Sequence, residues 1–385
     1  MKNILILGAG TGGTIVANNL AYRLADDIRN NKIKITIIDK SDVHYYQPGF
    51  LFIALSLMTP KEITRPIKSI LAPGINFIKD EVNKIDLNNR LVSTASGKQL
   101  NYDYLVISTG ARLDFESVPG IKETDHFYSL EAALKLRDKI SKFKNGDIVV
   151  TIGGLPYKCP PAPLEMTFML DSYFRKLGIR DKVNITYAYP LPRVFTIQNV
   201  AEIMSGLLES RGVKTSLMFN VESIDPEKKE IKSMEGETLK YDIAIVIPPH
   251  KGSEVIEKSG IGDDEGWIPT DKYTLNIKGH DDAYAIGDAT NIPTSKAGSV
   301  ADFEAATVTA RIVDDLQGVE PNKVYDGKTI CFLVTGIGEG TILIFDYNTM
   351  PNPPPPSFAC YWTKLAYNKL YWSLTVKSIL PGMGW

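Results

Sequence analysis

The stretch Asn3–Gly13, NILILGAGTGG, restricts the fold of this chain more than any other. An apolar run ends at Gly8, and Gly8, Gly10 and Gly13 fit the pattern G-x-G-x-x-G. Helical periodicity follows through Ile15, Ala17, Leu20, Ala21 and Leu24, and a second apolar strand, Lys34–Ile38, ends at Asp39. Strand, glycine turn, helix, strand and acid together open a dinucleotide-binding unit. In such a unit Gly8 permits the tight turn, Gly10 lets a pyrophosphate approach the backbone, and Gly13 lets the helix pack on the strand. Asp39 is placed to accept hydrogen bonds from an adenosine ribose.

Two further signatures occur in a fixed order. In Tyr102–Ala111 a strand feeds Thr109-Gly110-Ala111, and in Asp282–Ala289 an apolar strand ends in Gly287-Asp288 next to a helix. Thr109 and Gly110 close the first turn. Asp288 is suited to the ribityl chain of a flavin. With the glycine turn, this order makes FAD the expected ligand of the first unit. The expected boundaries are 1–112 with 250–325 for a discontinuous FAD-binding domain, 113–249 for a second Rossmann-like domain, and 326–385 for a C-terminal region.

The second unit has an irregular turn. Its strand, Asp147–Ile152, leads to Gly153-Gly154, but no third glycine follows; Pro156, Lys158, Cys159, Pro160 and Pro161 stand there instead. A phosphate cradle needs backbone N–H groups at a helix N-terminus, and proline has none. The turn presents a cysteine where a second dinucleotide would bind. Helices are expected at Leu130–Phe143, Glu165–Leu177 and Ala201–Ser210, with strands at Val183–Ala188 and Tyr241–Ile247. Glu165, near the start of its helix, is a candidate general base or proton relay. Lys296, in Pro293-Thr294-Ser295-Lys296-Ala297-Gly298, is a candidate for the flavin edge or a quinone oxygen. Cys331 lies in an apolar strand-like segment and, on its own, reads as a core residue.

At 385 residues the chain is long enough for two or three domains, and a net charge of -2 gives no reason to expect nucleic acid. Its three cysteines, Cys159, Cys331 and Cys360, lack metal-site spacing, so no metal is expected. No window approaches a spanning helix, and the first strand begins too early for a cleaved leader. The tail differs from the rest. From Tyr347 to Trp385 there is no Asp or Glu, while Phe358, Tyr361, Trp362, Tyr367, Tyr371, Trp372 and Trp385 alternate with Lys364, Lys369 and Lys377. Lysines among aromatic and aliphatic residues suit amphipathic helices lying in a membrane surface. The expected fold class is therefore α/β, with two Rossmann-like dinucleotide-binding domains and a C-terminal region of membrane-surface helices.

The chain resembles the sulfide:quinone oxidoreductase and flavocytochrome c sulfide dehydrogenase family of two-dinucleotide flavoproteins. The residues that carry the likeness are Lys158-Cys159-Pro160-Pro161-Ala162-Pro163 with Glu165, then Cys331, and Pro293–Gly298. The resemblance implies a redox pair, Cys159 and Cys331, bridged by a disulfide or a sulfur chain beside the flavin. Sulfide attacks the bridge and leaves a persulfide, and two electrons pass to FAD and on to quinone, with zero-valent sulfur or polysulfide as product. The family's flavin-linking cysteines have no counterpart near Phe127-Tyr128-Ser129 or in residues 41–53, so the FAD is expected to be non-covalent. Phe332, Phe358 and Tyr361 are candidate quinone walls. The implied setting is the cell membrane, peripheral and monotopic on the cytoplasmic side, with homo-oligomers open. The alternatives are a type II NADH:quinone oxidoreductase, or a flavoprotein subunit that passes electrons to a protein partner.

Overall fold

The apolar runs pair into two parallel sheets. The computed structural model describes residues 1–377; Trp385 lies outside the described residues. In the first sheet the order is Ala283–Ala285, Tyr104–Ile107, Lys2–Leu7, Ile33–Asp39 and Ile75–Lys79, all parallel. The Lys2–Leu7 strand is buried on both faces, as a parallel strand covered by helices must be. Its alternation sorts the side chains. Ile4 and Ile6 pack with the Thr11–Arg23 and Gly298–Leu316 helices, while Leu5 and Leu7 join a separate core on the opposite face. The strand Ala283–Ala285, distant in sequence, thus sets Gly287-Asp288 beside the turn after Tyr104–Ile107.

The second sheet runs Lys214–Leu217, Val183–Tyr189, Gly146–Ile152 and Ile243–Ile247, again parallel. An antiparallel ribbon, Ala111–Leu113 against His250–Gly252, marks where the chain passes between the two sheets. The Leu130–Lys142 helix is capped by Ser129, whose hydroxyl accepts from the Ala132 N–H. The helix expected at Glu165–Leu177 spans Ala162–Lys176. It starts three residues earlier because Pro161 and Pro163 suit a first turn, where their missing N–H groups have no helical partner. The helix expected at Ala201 likewise starts at Gln198.

The residues after 326 are not all tail. Thr329–Gly336 and Glu339–Phe345 form an antiparallel hairpin that packs on the Ala162–Lys176 helix. Phe358–Leu370 is a helix lying on that hairpin, with Ser357 as its cap, and a π-helical turn, Tyr371–Val376, extends it. Tyr361, Asn368, Tyr371, Trp372 and Val376 are buried against the protein. Half of the expected membrane-surface helix is therefore an internal packing face. The remaining half forms a stripe at every fourth position: Phe358 (65% exposed), Trp362 (53%), Leu370 (46%) and Leu374 (42%), with Ala366 between.

Two histidines are buried at the junctions. Burial holds His44 down to about 4 and His250 down to about 3, with the Lys158 charge adding at His250. In the unfolded chain both titrate near the ordinary histidine value of about 6.5. Below that value the unfolded chain binds more protons, so each histidine favours folding fully above about pH 6.5 and opposes it as acid is added. Asp302 and Glu304, lifted by burial to about 7 and about 8, act oppositely, losing their contribution as pH rises through those values. In histidine-labelled NMR spectra the His44 and His250 ring signals should therefore stay put between pH 7.5 and 5.5. Movement there with a midpoint near 6.5 would show that the rings are not held neutral.

Candidate active site

One cavity joins the signatures of the two units. Its wall includes Gly10, Thr11 and Gly12 from the first turn, Gly110, Gly287 and Asp288, and then Lys158, Cys159, Glu165 and Cys331. The glycines act as their positions require. A Cβ on Gly13 would sit 2.0 Å from the Gly8 carbonyl oxygen, and one on Gly8, whose φ is +94°, would sit 2.4 Å from the Ser108 carbonyl oxygen. A Cβ on Gly10 would meet nothing within 4 Å. Gly8 and Gly13 thus permit close packing behind the turn, and Gly10 keeps its front open for a ligand. Asp39 lies behind the turn, accepting the Ala9 N–H at 2.7 Å and the Ser41 N–H at 2.8 Å. Thr109 also stands behind the wall, its hydroxyl bound by Ser253 at 2.7 Å.

Lys296, the cation expected at the flavin edge or a quinone oxygen, lines this cavity. Its ammonium donates to the carbonyls of Asp288 (3.1 Å) and Thr290 (2.8 Å) and lies 3.7 Å above the Trp267 ring. Its own carbonyl accepts the Cys159 N–H at 2.8 Å. Glu304, which the sequence does not single out, accepts the Gly287 N–H from below. These bonds brace the Gly287-Asp288 turn and tie it to the cysteine turn.

Cys159 has a left-handed backbone, φ 56°. A non-glycine residue pays about 1–3 kcal/mol for such a conformation and keeps it only where its surroundings impose it. Here its N–H is held by Lys296 and its carbonyl accepts the Ala162 N–H at 2.9 Å, opening the helix. Glu165, one turn on, accepts the Val334 N–H at 2.9 Å. Val334 lies on the Thr329–Gly336 strand that also carries Cys331. The carboxylate thus fastens the helix after one cysteine to the strand bearing the other. Both cysteines are free thiols on one cavity wall. Cys360 is on the tail helix and does not line it.

Burial pushes the Cys331 thiol up to about 12 and Cys159 further, with the Glu165 charge adding at both. Glu165 is itself lifted by burial. The cation that opposes these shifts at all three groups is Lys364, from the tail helix. Lys158, the sequence neighbour of Cys159, instead donates to the Gln47 side-chain oxygen at 2.7 Å. No spacing rule links Lys364 to either cysteine; only the folding back of the tail does. Of the three aromatic residues expected as walls, Phe332 lines the cavity. Phe358 points to solvent and Tyr361 packs beneath the tail helix; Tyr367 and Tyr371 stand in the wall instead.

The second turn lacks the fittings of a nucleotide site. A Cβ on Gly153 would lie 2.6 Å from Ile121 and 3.0 Å from Pro249, so the turn is packed from outside. The second strand of that unit ends at buried Tyr189, whose hydroxyl is 3.0 Å from that of Tyr157. A ribose-binding acid would be needed near there.

These features define a two-sheet flavin-type oxidoreductase scaffold. The chain belongs to the pyridine nucleotide-disulphide oxidoreductase family, whose model matches residues 2–307. It is 29% identical over 360 residues to a mitochondrial sulfide:quinone oxidoreductase of Mus musculus, covering 90% of this chain and 79% of that protein. It is 24% identical over 368 residues to a type II NADH:quinone oxidoreductase of Staphylococcus saprophyticus, covering 89% and 90%. Its fold superposes on the crystal structure of the Aquifex aeolicus sulfide:quinone oxidoreductase with a TM-score of 0.86 at 23% identity, covering 98% and 92%.

Lys364 offers a direct test of the site's electrostatics. Lys364→Met in a Cys360→Ser background removes the charge that favours the thiolates. Alkylation of the cavity cysteines by a small uncharged haloacetamide at pH 8 should then slow, because losing the Lys364 charge moves both thiols further up. An unchanged rate would show that the Lys364 charge does not reach the thiols.

Proposed function

We propose that the chain is a sulfide:quinone oxidoreductase with non-covalent FAD, working at a membrane surface. One observation carries this reading: Cys159 and Cys331, 172 residues apart in the chain (331 minus 159), face one cavity that also contains the dinucleotide turn. In this reading residues 1–112 with 250–325 hold FAD, 113–249 present Cys159, and 326–385 supply Cys331 and the membrane contact. Gly8, Gly10, Gly13, Asp39, Thr109, Gly110, Gly287 and Asp288 shape the cofactor site, by direct contact or from behind.

The chemistry follows from the side chains. The two thiols are joined as a bridge during turnover. HS⁻ attacks one bridge sulfur; a new S–S bond forms as the Cys159–Cys331 bond breaks, leaving a persulfide on one cysteine and a thiolate on the other. Lys364 stabilises that thiolate in a cavity that otherwise disfavours charge. Glu165, raised by burial, takes the persulfide proton. Re-forming the bridge releases one zero-valent sulfur and two electrons. FAD, bound against the Gly8–Gly13 and Gly287-Asp288 turns, would supply the two-electron acceptor for this step and the link to a quinone. Lys296 positions the Cys159 turn in this scheme through its carbonyl.

The type II NADH alternative finds little support in the second unit. Its turn offers prolines in place of N–H groups, and its strand ends in a hydrogen-bonded tyrosine. Anaerobic mixing separates the two. Sulfide should bleach the flavin absorbance rapidly and NADH should not, and Cys159→Ser should slow the sulfide reaction at least a thousandfold. Fast bleaching by NADH alone would overturn the assignment.

The outward stripe of the tail supports membrane contact, since Phe358, Trp362, Leu370 and Leu374 are exposed together with Lys369 and Lys377. Among the described residues no helix is long and apolar enough to cross a membrane. Trp362→Ser with Leu370→Ser should abolish flotation with lipid vesicles while leaving sulfide-dependent flavin bleaching intact. Flotation equal to that of the unaltered protein would remove the stripe from the reading.

A further inference from the structure

The tail reaches the glycine turn through a closed chain of hydrogen bonds. His44 Nδ1 is 2.9 Å from the Ala9 carbonyl oxygen, which can only accept, so Nδ1 carries the proton. With the ring held neutral by burial, Nε2 is then an acceptor. It lies 2.8 Å from the Tyr371 hydroxyl, which must donate to it. The Tyr371 oxygen is in turn 2.8 Å from Thr11 Oγ1, which donates. The directed sequence Thr11, Tyr371, His44, Ala9 therefore begins and ends in the Gly8–Gly13 turn, and passes through the tail between. Every member but Thr11 is buried.

Neighbouring bonds hold the same segment to the first unit. Asn18, buried on the helix that follows the glycine turn, donates to the Val376 carbonyl at 2.6 Å. The Tyr46 hydroxyl donates to Asn368 at 2.5 Å, and the Trp372 indole to the Glu62 carbonyl at 3.0 Å. Thr11, Tyr46 and Tyr371 all line the cofactor cavity.

We propose that Tyr371 and His44 are positioning residues for the dinucleotide site: the C-terminal segment clamps the glycine turn and sets how firmly the cofactor is retained. This rests on the FAD reading of that site. Its consequence is that the segment carrying the exposed membrane stripe also governs cofactor binding, so loosening the tail at Tyr371 releases flavin without altering any residue of the glycine turn. Removing one buried hydrogen bond weakens its attachment by a factor on the order of five.

The test is the rate at which free-flavin fluorescence appears after the purified full-length protein is diluted. Thr11→Val, which removes one bond, should raise that rate about fivefold, and Tyr371→Phe, which removes two, should raise it more. The Thr11→Val/Tyr371→Phe double variant should release flavin no faster than Tyr371→Phe alone, because that change already removes the Thr11 bond. Ser357→Ala removes the tail-helix cap, far from the turn, and serves as the comparison. It should leave flavin release unchanged. Release from Tyr371→Phe at the unaltered rate, additive effects in the double variant, or equal acceleration by Ser357→Ala would each overturn the proposal. Purified unaltered protein without flavin would instead sink the reading of the site itself, and the clamp with it.

Discussion

The backbone of Cys159 is the constraint around which the site is assembled. Its left-handed conformation is unfavourable for a side-chain-bearing residue, and two hydrogen bonds impose it. One comes from the Lys296 carbonyl, in a loop that also braces the Gly287-Asp288 turn. The other starts the Ala162–Lys176 helix, whose Glu165 grips the strand of Cys331. A change at any of these contacts moves the Cys159 thiol relative to both the Gly287-Asp288 turn and Cys331. The chemistry of the cavity thus depends on three segments that share no local sequence.

The tail is the second organising element, and it works on both its faces. Its inner face delivers Lys364 to the thiols and Tyr371 to the glycine turn, while its outer face presents an apolar stripe. A helix with aromatic residues on all sides reads as a simple membrane-surface element when its sequence stands alone. In the fold, tyrosine and asparagine side chains on the inner face find partners in Thr11, His44 and Tyr46. The polar tips that suit a membrane interface are also those that satisfy buried hydrogen bonds.

Much of the architecture is local and therefore legible. The strands of both sheets follow from apolar runs, because parallel strands are covered on both faces. The glycine turn is recognisable because each glycine answers a steric need, which the Cβ distances at Gly8 and Gly13 bear out. The earlier start of the Ala162 helix could have been read from Pro161 and Pro163. Other features had no local signal. Lys158 neighbours Cys159 in sequence yet binds Gln47, whereas the cation facing the thiols is Lys364. Glu304 looks like any helical acid until the fold sets it under Gly287.

The sequence by itself determined the two sheets, the cofactor turn, and the presence of a cysteine where a second nucleotide would need N–H groups. These depend on periodicity, on proline's missing donor and on glycine's missing Cβ, all properties of short segments. Only the tertiary structure decided that Cys331 shares a cavity with Cys159, that the Lys296 carbonyl accepts the Cys159 N–H, and that the tail closes on the first turn. Those relations depend on which distant segments pack together. Burial then sets the charge each group can carry, and no spacing along the chain encodes that.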